Sequence, residues 1–391
     1  MYQKQIRNYN RKITLNTLIK NEKLTKKQIS DKIGLSLQTV NGIINDLALE
    51  KVISEEELAD STGGRRPVYV NLIDSSRFTF GVDFHSNYVR IILANLKSKI
   101  IKDIIIKVPQ SDYKKGHFDK IMGRVYSSVE KIISEQNISE DKILGIGYSF
   151  PGIVDEKRKL LIYCPNLFIK NLDFSKYERM FSFPCYIGND ANLAAFAESK
   201  LGVAKSKRNM VYVYIVEGVG FGIIIRGKLY KGHNERAGEF GHIIIEKDGK
   251  KCICGKRGCW NAYISIDTLI SDYNRSSNHK IKSLEEFIEL LKLKDNKAKK
   301  ALEKYLDYMS IGLINLIMTI DPYYIIIGGK ISKIGSSYLI KPLEKKIPED
   351  NLFIKKKDIN LLLSKLREDG SVLGASLISL KDFLYIDNYI S

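Results

Sequence analysis

Two stretches of this chain read alike. From Phe78 the runs "FTFGVDF", "YVRIILANL" and "KIIKDIIIKV" are strand-like, a helical stretch follows around 117–137, and "ILGIGYSF" ends in a Pro-Gly turn at 151–152. From Met210 the order returns: "MVYVYIV", "GFGIIIRG", helices through about residue 318, then "YYIIIGG" at 323–329. Two units of strands followed by helix and strand predict a duplicated α/β fold, with lobes at 75–200 and 201–391 and a cleft between them. At 391 residues the chain has room for two or three domains. Clefts between lobes are the usual place for a small ligand. The longest apolar run, "IGLINLIMTI" at 311–320, is too short to span a bilayer, so no membrane partner is expected.

Residues 1–74 follow a different pattern. "LTKKQISDKIGLSLQTVNGIINDLALEKVI" reads as two short helices joined at "GLS", with Ser36 placed to cap the second. There Val40, Ile43, Ile44 and Leu47 form an apolar stripe; at about 100° per residue, Gln38, Asn41, Gly42 and Asn45 fall on the opposite face. Amides on that face, with Thr39 beside them, suit base edges, and a glycine permits close backbone approach. Downstream, "KVISEEELADSTGGRRPVYVNL" alternates as strand, breaks at Gly63-Gly64 and resumes, a hairpin whose tip carries Arg65 and Arg66 beside Pro67. Arginines on such an arm suit phosphates or a narrow minor groove. Up to Leu49 nine Lys/Arg stand against three Asp/Glu, a net +6, which "EEE" at 55–57 then reduces locally. Spacing, amide face and basic wing together predict a winged helix-turn-helix that binds double-stranded DNA. A small helical docking domain with a solvated polar face is the plainer alternative. The +18 net charge of the whole chain agrees with a polyanionic partner, although a general lysine bias gives the same excess.

The stretch "GHIIIEKDGKKCICGKRGCW" at 241–260 gathers three of the five cysteines beside one of the five histidines. His242, Cys252, Cys254 and Cys259 are the ligand types of a tetrahedral zinc site, and a closed set of four is structural rather than catalytic. Disulfide pairing is one alternative, with only Cys164 and Cys185 left outside the cluster, and reduced packing cysteines are another. The opening "MYQKQIRNYNRK" is polar and basic, without the apolar core of a leader, so a cytoplasmic location is expected. A reducing compartment favours metal over disulfide.

The motifs "GGRRP", "GIGYSFPGIVD", "GNDANLAAFAE", "AGEFGH", "CICGKRGCW" and "DPYYIIIGG" together resemble the ROK family (repressors, open reading frames and sugar kinases), in particular its xylose-repressor and N-acetylglucosamine-repressor type. The resemblance covers nearly the whole chain, and the cysteine motif with "GEFGH" is its specific part. It implies an actin-like, hexokinase-type (RNase H-like) two-lobed fold, a structural zinc bracing the loop that holds a sugar, and a homodimer or homotetramer. It further implies that Asn189 and Asp190 bind sugar hydroxyls, that Glu239 and His242 face the sugar, and that the Pro-Gly turn closes the pocket. From the residues alone, Asp190 serves equally well as the N-cap of "ANLAAFAE", and Glu239 as a surface residue.

Kinases of this family place Mg-ATP phosphates against backbone amides, which requires glycines. The family's first phosphate loop reads Asp, any residue, Gly, Gly, Thr; here "DFHSN" keeps Asp83 but has Phe84, His85, Ser86 and Asn87 in place of the rest. The second, Gly-Thr-Gly, stands as Val216, Glu217 and Gly218, with a carboxylate that repels phosphate. Gly328-Gly329 survives, as a tight turn also requires. Asn261 follows Trp260 where the family has Glu, and "PNLFIKNLDF" at 165–174 lacks the tryptophan of xylose repressors. Asn261 is thus a fifth expected sugar contact, of altered chemistry. The resemblance implies a sugar-responsive repressor that is not an enzyme, with a sugar, xylose among the candidates, as effector and an inverted-repeat operator as DNA partner. The alternatives are a repressor relieved by a protein partner and a DNA-binding protein that retains sugar kinase activity.

Overall fold

Short helices with good caps begin the molecule. The computed structural model describes residues 2–21, 23–57, 68–205, 207–347 and 359–384. Helix α1 (Tyr2–Lys20) leads into α2 (Lys26–Ile33), where Thr25 and Gln28 form a reciprocal capping box and Gly34, at φ 68°, ends the helix. Helix α3 (Leu37–Leu49) starts on Ser36, whose hydroxyl accepts the Thr39 N–H at 3.1 Å, and buries Val40, Ile43, Ile44 and Leu47. Strands β1 (Leu24–Thr25), β2 (Ile53–Glu57) and β3 (Val68–Leu72) pair antiparallel in the order β1-β3-β2, with Ile53 opposite Leu72 and Glu57 opposite Val68. This is the expected winged helix-turn-helix. The stretch 58–67 between the paired strands, with Arg65 and Arg66, lies outside the described residues.

The first lobe comprises β4 (Phe78–Phe84), β5 (Tyr88–Asn95), β6 (Ile100–Lys107), α4 (Gln110–Lys114), α5 (Phe118–Glu135), β7 (Ile143–Phe150), β8 (Ile153–Asp155), β9 (Leu160–Cys164), β10 (Ile169–Asp173), β11 (Cys185–Asn189) and α6 (Asp190–Leu201). Its main sheet runs β11-β7-β4-β5-β6, antiparallel through β4, β5 and β6 and parallel through β4, β7 and β11; β8, β9 and β10 form a small separate sheet. Every residue of β4 is buried, as a strand covered on both faces must be. Helix α5 covers one face with Ile121, Met122, Val125, Val129 and Ile132.

The second lobe repeats the plan. It comprises β12 (Met210–Ile215), β13 (Val219–Ile225), β14 (Lys228–Tyr230), α7 (Asn261–Ile264), α8 (Ile266–Ser276), α9 (Leu284–Lys292), α10 (Asn296–Ile320), β15 (Tyr324–Gly328), α11 (Ile340–Lys346), β16 (Asn360–Leu363) and α12 (Gly370–Ile378). Its sheet order, β14-β13-β12-β15-β16, is that of the first lobe element for element, again an antiparallel trio joined to a parallel pair. The duplication expected from the sequence is therefore present.

The lobes exchange helices. Helix α6, from the first, packs on β12 and β13 of the second, whereas α12, from the second, packs on β4, β5 and β7 of the first, and the two helices pack on each other. The fit is backbone to backbone: a Cβ on Gly147 would lie 1.9 Å from the carbonyl oxygen of Ala375. Beyond α12, residues 380–384 meet the winged helix. Lys12 Nζ donates to the Lys381 carbonyl at 3.1 Å, and the guanidinium groups of Arg11 and Arg77 stand 5.4 and 5.8 Å from the Phe383 ring centroid. Among the described residues no helix is long and apolar enough to cross a membrane.

Candidate functional site

Helix α3 turns its amides outward because its apolar stripe is buried. Gln38, Thr39, Gly42 and Asn45 are exposed and Asn41 half-buried. Asp46, the one acidic residue of the helix, is paired with Arg7 of α1 at 2.6 Å, which removes a charge that would repel a phosphate backbone. The surface offered is polar and accessible, as groove recognition requires.

The cysteine cluster assembles as its spacing predicts. The side-chain ligand atoms of His242, Cys252, Cys254 and Cys259 all lie within 4.8 Å of one another, with Cys252 Sγ 3.5 Å from His242 Nδ1 and Cys254 Sγ 3.6 Å from Cys259 Sγ. A tetrahedral centre with metal–sulfur bonds of about 2.3 Å and a metal–nitrogen bond of about 2.0 Å sets its ligands roughly 3.5–3.8 Å apart. The cluster fits that shape and could hold a metal; all five cysteines are free of disulfides. His242 faces the cluster with Nδ1 and Glu239 with Nε2, at 3.8 Å, so a single imidazole stands between the cluster and Glu239.

Strand β11 delivers the next pair. Asn189 Oδ1 accepts the Asn192 N–H at 2.9 Å, so Asn189 is the N-cap of α6. The alternative of Asp190 as cap is thereby corrected: Asp190 is the first helical residue, and its Oδ1 accepts from Ala191 N at 2.8 Å and Asn189 Nδ2 at 3.1 Å. Among the described residues no hydrogen bond reaches Asp190 Oδ2. Asn189 Nδ2 also donates to the Gly152 carbonyl at 2.9 Å, which ties the Pro-Gly turn to the pair. Burial pushes the Asp190 carboxyl up to about 7; the charge of Asp83 adds to the rise, the Ala191 N–H and His85 oppose it, and Glu239 adds to it. Glu239 is 45% exposed at its side chain, as the surface alternative expected, and partial desolvation still raises its carboxyl. Asn261 is oriented differently from expectation, with Oδ1 accepting the Val219 N–H at 2.9 Å, so its carbonyl fastens the β12–β13 turn.

The two degenerate loops meet. Ser86 donates to the Glu217 carboxylate from its backbone N–H, at 3.1 and 3.2 Å, and from its hydroxyl at 2.8 Å. His85 is buried, stacks on Tyr88 with ring centroids 4.2 Å apart, and binds Asp83 through Nε2 at 2.9 Å. Burial opposes the charge on Asp83, yet its attraction to His85 and its hydrogen bonds hold the carboxyl below its ordinary range. Asp83 also accepts from Ser371 at the start of α12, and Ser371 accepts from Tyr214 at 2.9 Å. The roles of Ser86, Ser371 and Tyr214 left no mark in the sequence, since each depends on a partner far along the chain.

A cavity of about 850 Å³ opens beside this contact. Ser86 and Glu217 form part of its wall, with Lys170, Lys282, Lys330 and Phe168 around them. None of the five expected sugar contacts lines it. Phe168, in the segment where xylose repressors carry a tryptophan, is 52% exposed there.

Known proteins share this combination. Residues 79–382 match the family model described as ROK family, and residues 7–54 match that described as winged helix-turn-helix DNA-binding. The xylose repressor of Bacillus spizizenii is 29% identical over 383 residues, covering 97% of each chain. A solved ROK family transcriptional regulator, a homolog of the E. coli MLC protein, superposes with a TM-score of 0.80 over 97% of both chains at 21% identity. A ROK family glucokinase from Streptomyces griseus, solved with glucose and AMPPNP, aligns with a TM-score of 0.66 at 22% identity, over 78% of this chain and 99% of its own.

Proposed function

We propose, from the premise that this chain belongs to the ROK family, that it is a DNA-binding transcriptional repressor whose operator affinity answers to a sugar held between the lobes. One observation carries the reading. Helix α12 carries Ser371 in its first turn, hydrogen-bonded to buried Asp83 of the first lobe, and leads into the segment that holds Lys12 and Arg11 of the winged helix. A cleft and a DNA-binding unit joined by one buried helix form a pair of sites that can be coupled.

In this reading Asn189, Asp190, Glu239 and His242 orient the sugar, with Asn261 holding the adjacent turn, and xylose is the first candidate. Gln38, Thr39, Asn41, Gly42 and Asn45 read base edges, and Arg65 and Arg66 place the wing. His242, Cys252, Cys254 and Cys259 hold a structural zinc that fixes the loop carrying Glu239. The protein works in the cytoplasm as a homodimer or homotetramer, two winged helices engaging an inverted repeat about one helical turn apart or a multiple of it. Sugar that prefers one lobe closure shifts the population away from the operator-binding state. Asp190 accepts a sugar hydroxyl without abstracting its proton. The family includes kinases, but Glu217 lies on the donors of Ser86 that a phosphoryl group would need, which supports a sensor without kinase activity.

The test begins with an operator selected from random duplexes by the full-length, zinc-loaded protein. Anisotropy titrations then follow operator binding with xylose, glucose and N-acetylglucosamine, alongside a coupled ADP-release assay. The expected result is a loss of affinity of about tenfold or more with one sugar, and ADP release at background. Operator affinity unmoved by every sugar would sink the sugar response and leave relief by a protein partner. Sustained ADP release would restore the enzyme.

A further inference from the structure

Two donors and an imidazole of the first lobe converge on one carboxylate of the second. The β4–β5 turn contributes the backbone N–H and hydroxyl of Ser86, 2.8 to 3.2 Å from the Glu217 oxygens. It also contributes His85, whose Nδ1 stands 4.0 Å from Glu217 Oε1. Asp83 fixes the ring from behind at Nε2, and Tyr88 stacks on its face. With Asp83 on one nitrogen and Glu217 on the other, both ring nitrogens face carboxylates, the arrangement that favours the charged imidazolium. Burial works against that charge, but Asp83, Glu217 and Asp190 outweigh it and raise the proton affinity of the ring. A backbone N–H, a hydroxyl and an imidazolium aimed at one point are the chemistry of an anion cradle.

We infer that Glu217 is the built-in occupant of this cradle, fastening the two hairpin turns across the cleft and reserving the adjoining cavity for uncharged ligands. The inference deepens the reading of the cleft as a ligand site by naming the class it admits. A phosphoryl or carboxylate group reaches the Ser86 donors only by displacing Glu217. The cavity wall makes the exclusion depend on that residue. Lys170, Lys282 and Lys330 stand against Glu217 and Asp267; Lys330 is itself paired with Glu285 at 3.6 Å, so neutralising Glu217 leaves Lys170 and Lys282 opposed by Asp267 alone. The remaining lining is thus suited to an anion, and the cradle that would orient one is already filled.

The experiment uses inorganic phosphate as the probe, which keeps it independent of any sugar. Binding to the full-length, zinc-loaded protein is followed by calorimetry and by phosphorus NMR line width for the unsubstituted protein, Glu217→Gln and Glu217→Ala. No saturable binding is expected for the unsubstituted protein, and a gain of about tenfold or more for both variants. Adding Ser86→Ala to Glu217→Ala is expected to reverse much of the gain. Metal content and melting temperature establish folding, and Glu217→Gln, which keeps the side-chain length, carries the test if Glu217→Ala does not fold. The inference is overturned if the unsubstituted protein binds phosphate as tightly as the variants, or if neither variant gains binding. Equal binding by the Ser86→Ala/Glu217→Ala protein would assign the effect to surface lysines and overturn it too. A sugar response that persists while phosphate binding never appears would reject this inference alone; the reverse would reject only the sugar reading.

Discussion

Asp190 offers a prediction whose sign is easily mistaken. Its carboxyl loses a proton near 3.8 when the chain is unfolded and at about 7 in the folded protein. Between these values the folded state binds more protons than the unfolded one, so this group's contribution makes stability fall as pH rises through that window, with the full cost present above about 7. From pH 5 to 7 the loss is two units at about 1.36 kcal/mol each, roughly 2.7 kcal/mol before screening by cleft water. A measured span of about 1–3 kcal/mol is therefore expected. Asp190→Asn removes the titration while its amide oxygen can still accept the Ala191 N–H that Oδ1 accepts now. Denaturant unfolding of the metal-loaded protein at pH 5, 6, 7 and 8 is compared with that of the variant, so that the titrations of other groups, the cysteine cluster included, cancel in the difference. The variant is expected to be the more stable at pH 8, with the gap closing by about 1–3 kcal/mol at pH 5. Parallel curves across this range would show that Asp190 ionises normally and that its surroundings are wetter than the structure implies.

With the proposed structural zinc, Cys259→Ser is expected to lower metal content and the melting temperature, because the metal would hold a loop with little sheet of its own; full stability at zero metal would refute a structural role. Asn41→Ala and Asn45→Ala are each expected to cost roughly 1–3 kcal/mol at the operator and relax selectivity at one base position while leaving the salt dependence unchanged. A uniform loss across sequences, read by anisotropy, would instead make them phosphate contacts. Phe383→Ala removes a half-buried ring from beneath Arg11 and Arg77. It is expected to leave sugar binding intact, cost about 2 kcal/mol of stability and abolish the effect of sugar on operator binding. Retained coupling in that variant would place the connection elsewhere.

What the sequence disclosed depended on whether the physics was local. The strands β4, β5, β7, β12, β13 and β15 were legible because β-branched runs bounded by turn residues leave few other options. The stripe of α3 was legible because one face is wet and the other dry. Helix α12 was not: all nine of its residues are buried, so no polar face breaks the pattern, and its two glycines argue against a helix. The first sheet on one side and α6 on the other make it helical. The cysteine–histidine cluster was readable because four candidate ligands between residues 242 and 259 need only a loop to bring them together. Between Asn189 and Asp190 the identity of the cap was not readable, since both residue types cap well and only the backbone angle at Asn189, ψ 138°, decides it. Glu217 could be seen as hostile to phosphate, but its partner Ser86 lies 131 residues away, and nothing local to either residue announces the other.

The exchange of helices explains how a fold built to close on a ligand can move a winged helix. Since α6 rests on the second sheet and α12 on the first, any rotation of one lobe against the other shears α6 along α12. That contact has no side chain to cushion it: a Cβ on Gly374 would lie 2.1 Å from the Leu193 carbonyl oxygen. Close-packed backbones resist gradual deformation, so the pair favours discrete registers over a continuum. A change of register carries residues 380–384 with it, and with them the carbonyl that holds Lys12 and the ring beneath Arg11. The demand on a ligand is modest. A sugar that binds one closure about tenfold better than the other shifts the balance by about 1.4 kcal/mol, and about a hundredfold preference doubles that. Glu217 would set the starting point of such a balance, because its bonds to Ser86 span two hairpin turns, one from each lobe, that would separate if the lobes opened. One contact, Ser86 with Glu217, would then both block a phosphate site and bias the switch, and it takes a changed residue in each loop to make it.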